Sequence, residues 1–582
     1  MKKIYLATAV FFVLTSCQNA DVNPGNTTGN TNSKGNQVTW SSNEATTPPP
    51  RDVTITPENS YSDLFLDSAA VEAFIINKKM DDATAVAIRN FYNMRNYQYA
   101  WLTTDGFTEQ GRGFWNLYEY TSNDKTDTKN KAFDARMDTL IAEDSLTISP
   151  SDTSFADVEL GLTQQFVHFA KNNAQHEFNN RSTLTQFIPA KKTDALRVAD
   201  SLLKADTNSI AKANRPYNLL RQQLGKYYSI AQQGGWQPVT IQGKRLKKGT
   251  TSPSIAAIKK RLHLTGDMAG ADTSRVFNDS LEAVIKSYQK RHGFRPDGVI
   301  TDSLVKLMNI PVEQRLQQIL VNMNRMYWMP TQLPDNRIEV NIPEFLLYVY
   351  EGKSKVFEMP VVVGKEGTNT MMFTGNLNQV VFSPNWNIPE SIVRNEILPA
   401  MKKDPNYLKK KKMEIVKEGD SLPTIRQLPG TENSLGKVKF LFPNSYDIYF
   451  HDTQGSARSL FQKQKRAFSH GCIRLADAEK MANYLLRNQQ EWDSVKIKQA
   501  MNAGNEQYVR VKNPIQVVIT YFTAWVDENG QLNFRDDIYA HDGNTAGKMF
   551  LNSAFTNDSS RTTDTTTNRA GKDTAKRRAN VL

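Results

Sequence analysis

The chain has 582 residues, of which 23% are charged and 39% are hydrophobic, and it carries a formal net charge of +12. These values are ordinary for globular proteins and exclude a collagen-like, a wholly disordered or a polytopic membrane protein. Since one domain takes roughly 100–200 residues, the chain is long enough for several domains. The positive charge favours acidic partners.

The N-terminal residues are predicted to form an export signal. Met-Lys-Lys is followed by an apolar stretch from Ile4 to Leu14, which is too short to span a bilayer and is typical of a secretory signal peptide. The stretch ends in Leu-Thr-Ser-Cys17, which resembles the lipobox of bacterial lipoproteins, where the cysteine is acylated and becomes the new N-terminus. The resemblance implies a signal peptide over 1–16 and a lipid anchor on Cys17 in the cell envelope, facing the periplasm; the alternative is an ordinary signal peptide with a chance cysteine. For an exported chain we expect anionic envelope polymers and lipids as partners, and not nucleic acid.

The cysteine count singles out Cys472. The chain has two cysteines, and with Cys17 assigned to a lipid, Cys472 has no partner for an intramolecular disulfide. A single remaining cysteine in an exported protein is a candidate reactive thiol, above all when histidines lie near it in sequence. The alternative is a buried, inert cysteine.

A tether and a helical domain are predicted next. Residues 17–60 are rich in Asn, Thr, Gly, Ser and Pro and have few large apolar residues, so we expect a disordered tether. From 61 to 235 the apolar residues recur at helical spacing, as in Val71, Phe74 and Ile75, which predicts a helical domain. Residues 552–582 are again polar, and we expect a disordered tail there.

A small helical module is predicted from 252 to 312. Amphipathic helices over 255–262 and 284–294 are followed by the turn sequence Pro296-Asp297-Gly298. The pattern from Tyr288-Gln289 through Gly293-Phe294 to this turn and Thr301 resembles the three-helix peptidoglycan-binding module. Binding of peptidoglycan is implied by the resemblance, whereas the residues alone predict only a helical bundle with a well-placed turn.

Beyond a connecting helix over 311–328 the pattern changes to strands. Runs of β-branched and aromatic residues cover 337–342, 346–350 and 361–364. The final strands are predicted at 516–525 and 532–538, on either side of a hairpin turn at 527–530. The chain as a whole is predicted to be an α+β multidomain protein that ends in a mainly β, mostly antiparallel domain.

The residues that carry chemistry lie in two segments of the β domain. The first contains His451, and the second contains Ser469-His470-Gly471-Cys472 and Arg474. A thiol is weakly nucleophilic until it is deprotonated, so acyl transfer requires an imidazole that takes its proton, and either histidine is a candidate. The N–H groups around Gly471 and Cys472 are a candidate oxyanion hole. Arg474 offers a positive charge for a substrate carboxylate.

Both segments resemble the signature of the L,D-transpeptidase catalytic domain, also called the YkuD fold, in which a histidine precedes Ser-His-Gly-Cys-x-Arg. The chain resembles the large YcbB-type branch of this family, in which a scaffold domain and a peptidoglycan-binding module precede the catalytic domain. The segment 91–114 resembles that scaffold. The resemblance implies a scaffold over 61–235 and a catalytic domain over 313–545, with an inserted capping subdomain at about 389–435. Further matching motifs are Asn341-Ile342-Pro343-Glu344, Pro384-Asn385-Trp386-Asn387-Ile388-Pro389, Ile397-Leu398-Pro399, the segment 433–440 and Thr523-Ala524-Trp525.

The resemblance also implies roles for individual residues. Cys472 is implied as the nucleophile and His451 as the general base. The capped branch often has Ser at position 470, and the spacing of His470 and Cys472 leaves His470 open as the base; we favour His451. The remaining implied residues are Tyr449, Ser469, His470 and Gly471 around the thiol, and Arg474, Trp386 and Asn385 for substrate.

Other chemistries are disfavoured. With Cys17 acylated, the sequence has neither a second cysteine nor a His-x-x-x-His pair for a zinc site, and it has no Gly-x-Ser-x-Gly elbow of a serine hydrolase. We therefore expect neither metal nor cofactor.

The resemblance implies the reaction of the family, which links the third residues of two peptidoglycan stem peptides through a cysteine thioester, with release of D-Ala. This cross-linking contributes to cell-wall organisation and cell shape. Two alternatives stay open: an L,D-carboxypeptidase that trims tetrapeptide stems, and a non-catalytic peptidoglycan-binding lipoprotein. The expected partners are peptidoglycan, the membrane and other enzymes of cell-wall synthesis.

Overall fold

The structure is a computed structural model, and it describes residues 49–121, 131–143, 146–171, 184–185, 187–205, 214–243, 245–330, 332–419 and 422–555. The predicted signal peptide, Cys17, most of the tether and the tail from residue 556 lie outside the described residues. The described ends of the tether and tail lie against the folded chain: Ile55 is buried, and the Ala554 N–H donates to the Gln317 side chain over 2.9 Å.

Helices dominate the described residues from 61 to 232. They form where apolar side chains recur at helical spacing, and carboxylates such as Asp67 and Asp81 cap their first turns. Aromatic rings around Trp101, including Phe114 and Trp328, form the core of this part. The elements are α1 Ser68–Asn77, α2 Asp82–Asn93, β1 Leu102–Thr103, β2 Gly106–Phe107, α3 Glu109–Thr121, α4 Lys131–Ile141, α5 Ala156–Phe169, α6 Ala195–Lys204 and α7 Arg215–Gln232.

A small helical module with its own core follows. The Gln289 side chain donates to Asp297 and accepts from the Gly298 N–H, which ties the second helix to the Asp-Gly turn. The His292 ring stacks on Phe534 of the C-terminal segment, with ring centroids 5.7 Å apart. The elements are β3 Arg245–Leu246, α8 Pro253–Leu264, α9 Asp279–Arg291, β4 Ile300–Thr301 and α10 Asp302–Met308.

The β domain is built on a sheet that closes on itself. Its strands are β5 Arg337–Asn341, β6 Leu346–Glu351, β7 Ser354–Gly364, β8 Phe373–Phe382, β12 Val438–Leu441, β13 Phe450–His451, β14 Ala467–Ser469, β15 Ile473–Leu475 and β16 Gln507–Thr520, the numbers 9 to 11 belonging to an insertion. The order is β14-β7-β15-β13-β12-β8-β16-β5-β6, and β6 also pairs with β7. Alternate side chains fill a single apolar core, against which the helices α14 Ala478–Leu486 and α15 Ser494–Met501 pack.

The insertion between β8 and β12 forms a separate subdomain, here called the cap (residues 386–427). Its strands β9 Trp386–Asn387, β10 Met413–Lys417 and β11 Thr424–Gln427 form a sheet in the order β10-β11-β9. Short helical turns join them: Glu390–Ile392, the π-helical Val393–Ile397, α12 Leu398–Lys403 and α13 Tyr407–Lys410. The cap has a small apolar core of its own, formed by Ile388, Ile392, Val393, Ile397 and Ile425.

The predicted strand over 516–525 is wrong in extent, because it is two strands. β16 ends at Thr520, and β17 Ala524–Val526 pairs instead with β18 Leu532–Phe534. The break arises because the Asn341 and Asn322 side chains accept hydrogen bonds from the N–H groups of Phe522 and Thr523, which take this backbone out of the ladder. The predicted hairpin turn at 527–530 is present between β17 and β18.

The two ends of the described chain meet at the helix that connects module and sheet, α11 Val312–Tyr327. One apolar core joins this helix and α7 to Tyr61 near the start and to Phe550 after the last helix, α16 His541–Met549. The Thr193 N–H donates to the Met549 carbonyl over 2.9 Å. The predicted α+β multidomain class is confirmed, and among the described helices none has the length and apolar composition needed to cross a bilayer.

Candidate active site

Two neighbouring strands bring the predicted catalytic residues to one face of the sheet. β13 and β15 pair in parallel, with Phe450 opposite Ile473 and His451 opposite Arg474. Phe450 and Ile473 belong to the apolar core. Because side chains alternate along a strand, His451 and Arg474 lie on the other face of the sheet.

Cys472 and Tyr449 lie on this same face, because each comes two residues before Arg474 and His451, respectively. The Ile473 N–H donates to the Tyr449 carbonyl over 3.1 Å, which continues the ladder and places Tyr449 beside Cys472. The rings of Tyr449 and His451 have centroids 6.0 Å apart. The register therefore makes Cys472 and His451 diagonal neighbours on adjacent strands.

Cys472 is a free cysteine and is partly exposed. Its Sγ donates to the Asp447 carbonyl over 3.6 Å. Burial raises the pKa of the thiol to about 11, and hydrogen bonds from the main chain and side chain of Tyr449 oppose part of that rise. Since the thiolate and not the thiol is the nucleophile, the group requires a base at the moment of attack.

His451 is a neutral base at rest. The residue is 4% exposed; burial, followed by the nearby charge of Arg474, lowers its pKa to about 3, against the effect of main-chain hydrogen bonds to Asp452 and Leu435. The Nδ1 atom lies 2.6 Å from the Asp452 carbonyl oxygen. A carbonyl oxygen only accepts, so Nδ1 carries the proton and Nε2 keeps the lone pair that a general base needs.

The loop that carries the thiol is held by Ser469 and Thr370. The Ser469 hydroxyl donates to the Cys472 carbonyl over 2.5 Å, and its oxygen accepts from the Gly471 N–H over 3.3 Å. Gly471 has a φ of +109°, where a side chain is strained. Its carbonyl oxygen accepts from the Thr370 hydroxyl over 2.6 Å. In the part of the chain that the structure describes, the Cys472 N–H has no hydrogen-bond acceptor.

His470 is paired with the cap. Its Nε2 lies 2.7 Å from Oε1 of Glu396, which belongs to the π-helical turn Val393–Ile397. This contact links the loop of the nucleophile to the cap, whereas His451 shares the face of the thiol. The geometry is thus in keeping with the preference for His451 as the base, which stays a prediction.

Arg474 lies at the site and has no counter-ion in the part of the chain that the structure describes. Among the described residues no hydrogen bond or ion pair reaches its guanidinium, and its Nε is buried without a partner. Burial lowers its pKa, while the nearby Cys472 acts in the opposite direction. A buried donor without a partner is costly, so this group suits an anionic ligand.

Asn385 and Trp386 build the base of the cap. The main-chain and side-chain N–H groups of Asn385 donate to the Glu506 carboxylate over 3.0 and 3.1 Å. Trp386 pairs with Gln427 in the cap sheet and packs on the cap core. Their predicted contact with substrate stays a prediction.

Three residues near the thiol were not predicted from the sequence. Lys439 lies opposite His451 across β12 and β13. Its position as a charged residue between the apolar Val438 and Phe440 could have identified it from the sequence, because alternate residues of a strand face opposite sides. Thr370 and Glu396 are 101 and 74 residues from their partners in sequence, and no local pattern marks them. Within the described residues no group of three or more His, Cys, Asp or Glu side chains is arranged to hold a metal ion.

Comparison with known proteins assigns the domains. Residues 335–497 match the model of the L,D-transpeptidase catalytic domain (YkuD), residues 86–224 match that of the scaffold domain, and residues 251–308 match that of a peptidoglycan-binding domain. A predicted L,D-transpeptidase of Haemophilus influenzae is 30% identical over 242 residues, and the match covers 39% of this chain and 48% of the relative. The chain therefore spans about half the length of this curated relative.

Solved structures of L,D-transpeptidases are similar only at low levels. The enzyme from Mycobacterium smegmatis is 12% identical with a TM-score of 0.19, covering 32% of this chain and 58% of its own. The enzyme from Stackebrandtia nassauensis is 14% identical with a TM-score of 0.19, covering 49% of this chain and 96% of its own. Superpositions at this level do not bear on the fold.

The β domain is thus an L,D-transpeptidase catalytic domain of the YkuD type, which confirms the resemblance predicted from the motif. Regions that match a scaffold domain and a peptidoglycan-binding domain precede this catalytic domain in the chain. The matched residues end at 497, before β16 and the C-terminal segment that completes the fold.

Proposed function

We propose that the protein cross-links peptidoglycan by joining the third residues of two stem peptides. The observation that carries the proposal is the placement of a thiol, an imidazole and a guanidinium on one face of the sheet, where no carboxylate among the described residues pairs with the guanidinium. The match of residues 251–308 to a peptidoglycan-binding domain supports the choice of polymer.

In the first half-reaction Cys472 attacks the carbonyl carbon of the third residue of a tetrapeptide donor. As the S–C bond forms, the thiol proton passes to Nε2 of His451, and the carbonyl oxygen takes the negative charge. The C–N bond to D-Ala then breaks, and the leaving amine takes the proton from His451. The products are a thioester on Cys472 and free D-Ala.

In the second half-reaction the side-chain amine of an acceptor stem attacks the thioester. The amine gives a proton to His451 as the new C–N bond forms, the C–S bond breaks, and the Cys472 thiolate recovers the proton. Arg474 binds a carboxylate of the donor peptide, which supplies the counter-ion that the guanidinium lacks within the protein.

The test is mass spectrometry of disaccharide-tetrapeptide incubated with the protein, beside a Cys472→Ala control. We expect a cross-linked dimer that has lost one D-Ala, and no product with the control. Tripeptide alone would replace the proposal with carboxypeptidase action. No product together with intact binding to cell walls would replace it with a non-catalytic wall-binding role.

The proposed location is the cell envelope, with a lipid on Cys17, a residue outside the described part of the chain. An anchor near the polymer raises the local concentration of substrate without new contacts at the thiol. We expect Cys17→Ser to move the protein from the membrane fraction to the soluble fraction on separation of cell envelopes. A Cys472→Ser variant is the matched control and should stay with the membrane. Retention of Cys17→Ser in the membrane fraction would contradict the anchor.

A further inference from the structure

We propose that Thr370 and Tyr539 are positioning residues that aim the Cys472 N–H at the oxyanion formed during acyl transfer. The inference rests on the proposed function, since it assigns residues to the first step of that reaction. Neither residue lies in the signature around the thiol, and Tyr539 lies outside the residues 335–497 that match the catalytic domain.

The argument begins with the peptide group between Gly471 and Cys472. A peptide group is planar and trans, so its C=O and its N–H point in opposite directions. The Thr370 hydroxyl donates to the Gly471 carbonyl over 2.6 Å inside the protein. This bond turns the N–H of Cys472 away from Thr370, and that N–H has no acceptor among the described residues.

The neighbouring N–H is already engaged. The Gly471 N–H donates to the Ser469 hydroxyl oxygen over 3.3 Å. Of the two main-chain donors next to the nucleophile, only the one on Cys472 is free to meet a developing negative charge among the described residues. A fixed donor of this kind stabilises the transition state because it costs no reorganisation during the reaction.

Thr370 is itself fixed on three sides. It is 2% exposed, its oxygen accepts from the Gly364 N–H over 2.9 Å, and its own N–H donates to the Tyr539 hydroxyl over 3.3 Å. The Tyr539 hydroxyl donates a hydrogen bond to the Gly364 carbonyl over 2.6 Å. A carbonyl oxygen only accepts, so the single proton of the Thr370 hydroxyl is directed to the Gly471 carbonyl, while a lone pair of the same oxygen accepts from Gly364.

Tyr539 is held in turn by the C-terminal segment. Its ring stacks on Tyr521 with centroids 5.6 Å apart and an angle of 24°. The Tyr539 N–H donates to the Tyr521 hydroxyl over 3.0 Å, and that hydroxyl donates to Asp537 over 2.7 Å. A run of hydrogen bonds thus leads from residues beyond the matched domain to the peptide group of the nucleophile.

The experiment compares two reactions of the same thiol. Single-turnover acylation by disaccharide-tetrapeptide passes through an oxyanion, whereas alkylation by iodoacetamide at an sp³ carbon does not. We expect Thr370→Val to slow acylation about 10- to 100-fold, a part of the 10²–10³ that loss of a whole oxyanion donor costs, with alkylation within about twofold of wild type. Tyr539→Phe should slow acylation in the same direction, and Thr370→Ser, which keeps the hydroxyl, should acylate close to the wild-type rate.

The matched control is Thr520→Val. This substitution also removes a buried hydroxyl, which bonds to the Val340 carbonyl on the β16–β5 side of the sheet, and it should change neither rate. Thermal unfolding of each variant establishes that it is folded before rates are compared. Equal acylation by wild type and Thr370→Val would overturn the inference, as would an equal loss of acylation and alkylation. Failure of the wild type to acylate at all would instead overturn the proposed function.

Discussion

Two arginines of this protein, the buried Arg325 and the partly buried Arg474, have opposite surroundings. At the junction of scaffold and β domain, Arg325 bonds Glu109 and donates to Asp542 over 2.5 Å. Burial by itself lowers the pKa of Arg325, but the two carboxylates outweigh burial and raise it. At the thiol, burial lowers the pKa of Arg474, and no counter-ion among the described residues restores it.

The difference separates polar groups that hold the fold from those that serve the reaction. A buried charge that is fully paired inside the protein is costly to break, because its partners are left behind unpaired. A partly buried charge that no group of the protein pairs with destabilises the fold, and such groups cluster at functional sites. Arg325 is therefore expected to matter for stability and Arg474 for activity.

The largest expected effect concerns the base beside Arg474. His451→Ala should lower the rate of acylation by at least about 10⁴-fold, since members of a catalytic unit each cost nearly as much as the whole unit. His470→Gln loses only its exposed contact with Glu396 and should change the rate by no more than about fivefold. Single-turnover mass spectrometry measures both. The reverse order of effects would make His470 the base.

The next largest effect is expected on stability, where the contributions of Arg325 and Arg474 to the free energy of unfolding are compared. Arg325→Met leaves Glu109 and Asp542 buried without their cation, and we expect it to lower the free energy of unfolding by about 3–5 kcal/mol. Arg474→Met should change it by less than about 1 kcal/mol, because no carboxylate is left behind. Denaturant titrations followed by circular dichroism give both values. Equal losses would mean that Arg474 is also a structural cation.

A smaller effect is expected for Arg474 in binding. Arg474→Gln should lower kcat/KM for disaccharide-tetrapeptide about 10- to 100-fold, which corresponds to the 1.5–3 kcal/mol of a hydrogen bond to a charged group. The matched control is Arg487→Gln, which removes an arginine that pairs with Glu351 at the surface and should leave kcat/KM unchanged. A normal kcat/KM for Arg474→Gln would remove substrate binding from its role.

The smallest effect concerns the resting state of the thiol. With a pKa of about 11 for Cys472, alkylation by iodoacetamide should become about tenfold faster per pH unit between pH 7 and pH 10, because the thiolate fraction rises by that factor. Intact mass measured against time gives the rate, with Cys472→Ala as the blank. A plateau above neutral pH would instead indicate a thiolate that exists before substrate binds.

Short sequence motifs singled out residues that the structure brings together. The resemblance to the transpeptidase signature named Cys472 and His451, and the structure places both on one face because the strand period of two applies to β13 and β15. The helices of the scaffold followed from the spacing of Val71, Phe74 and Ile75, which lie buried in α1.

The pairing of strands that are distant in the chain could not be predicted from the sequence. β5 pairs in parallel with β16, so that Ile338 lies opposite Val517, and no pattern within either strand specifies that choice. The predicted strand over 516–525 failed for a related reason, since side chains of Asn341 and Asn322 from distant segments end it. Thr370 and Glu396 could not be predicted either, because only the closed sheet and the cap bring them next to Gly471 and His470.

The meeting of the chain ends has a consequence for how the protein matures. Residues near 61, made early, and residues near 550, made last, share one apolar core, so the scaffold cannot complete its packing while the ribosome is still adding the C-terminal segment. A product that stops near residue 500 would expose the apolar faces of α7 and α11 that β17, β18 and α16 cover in the full chain.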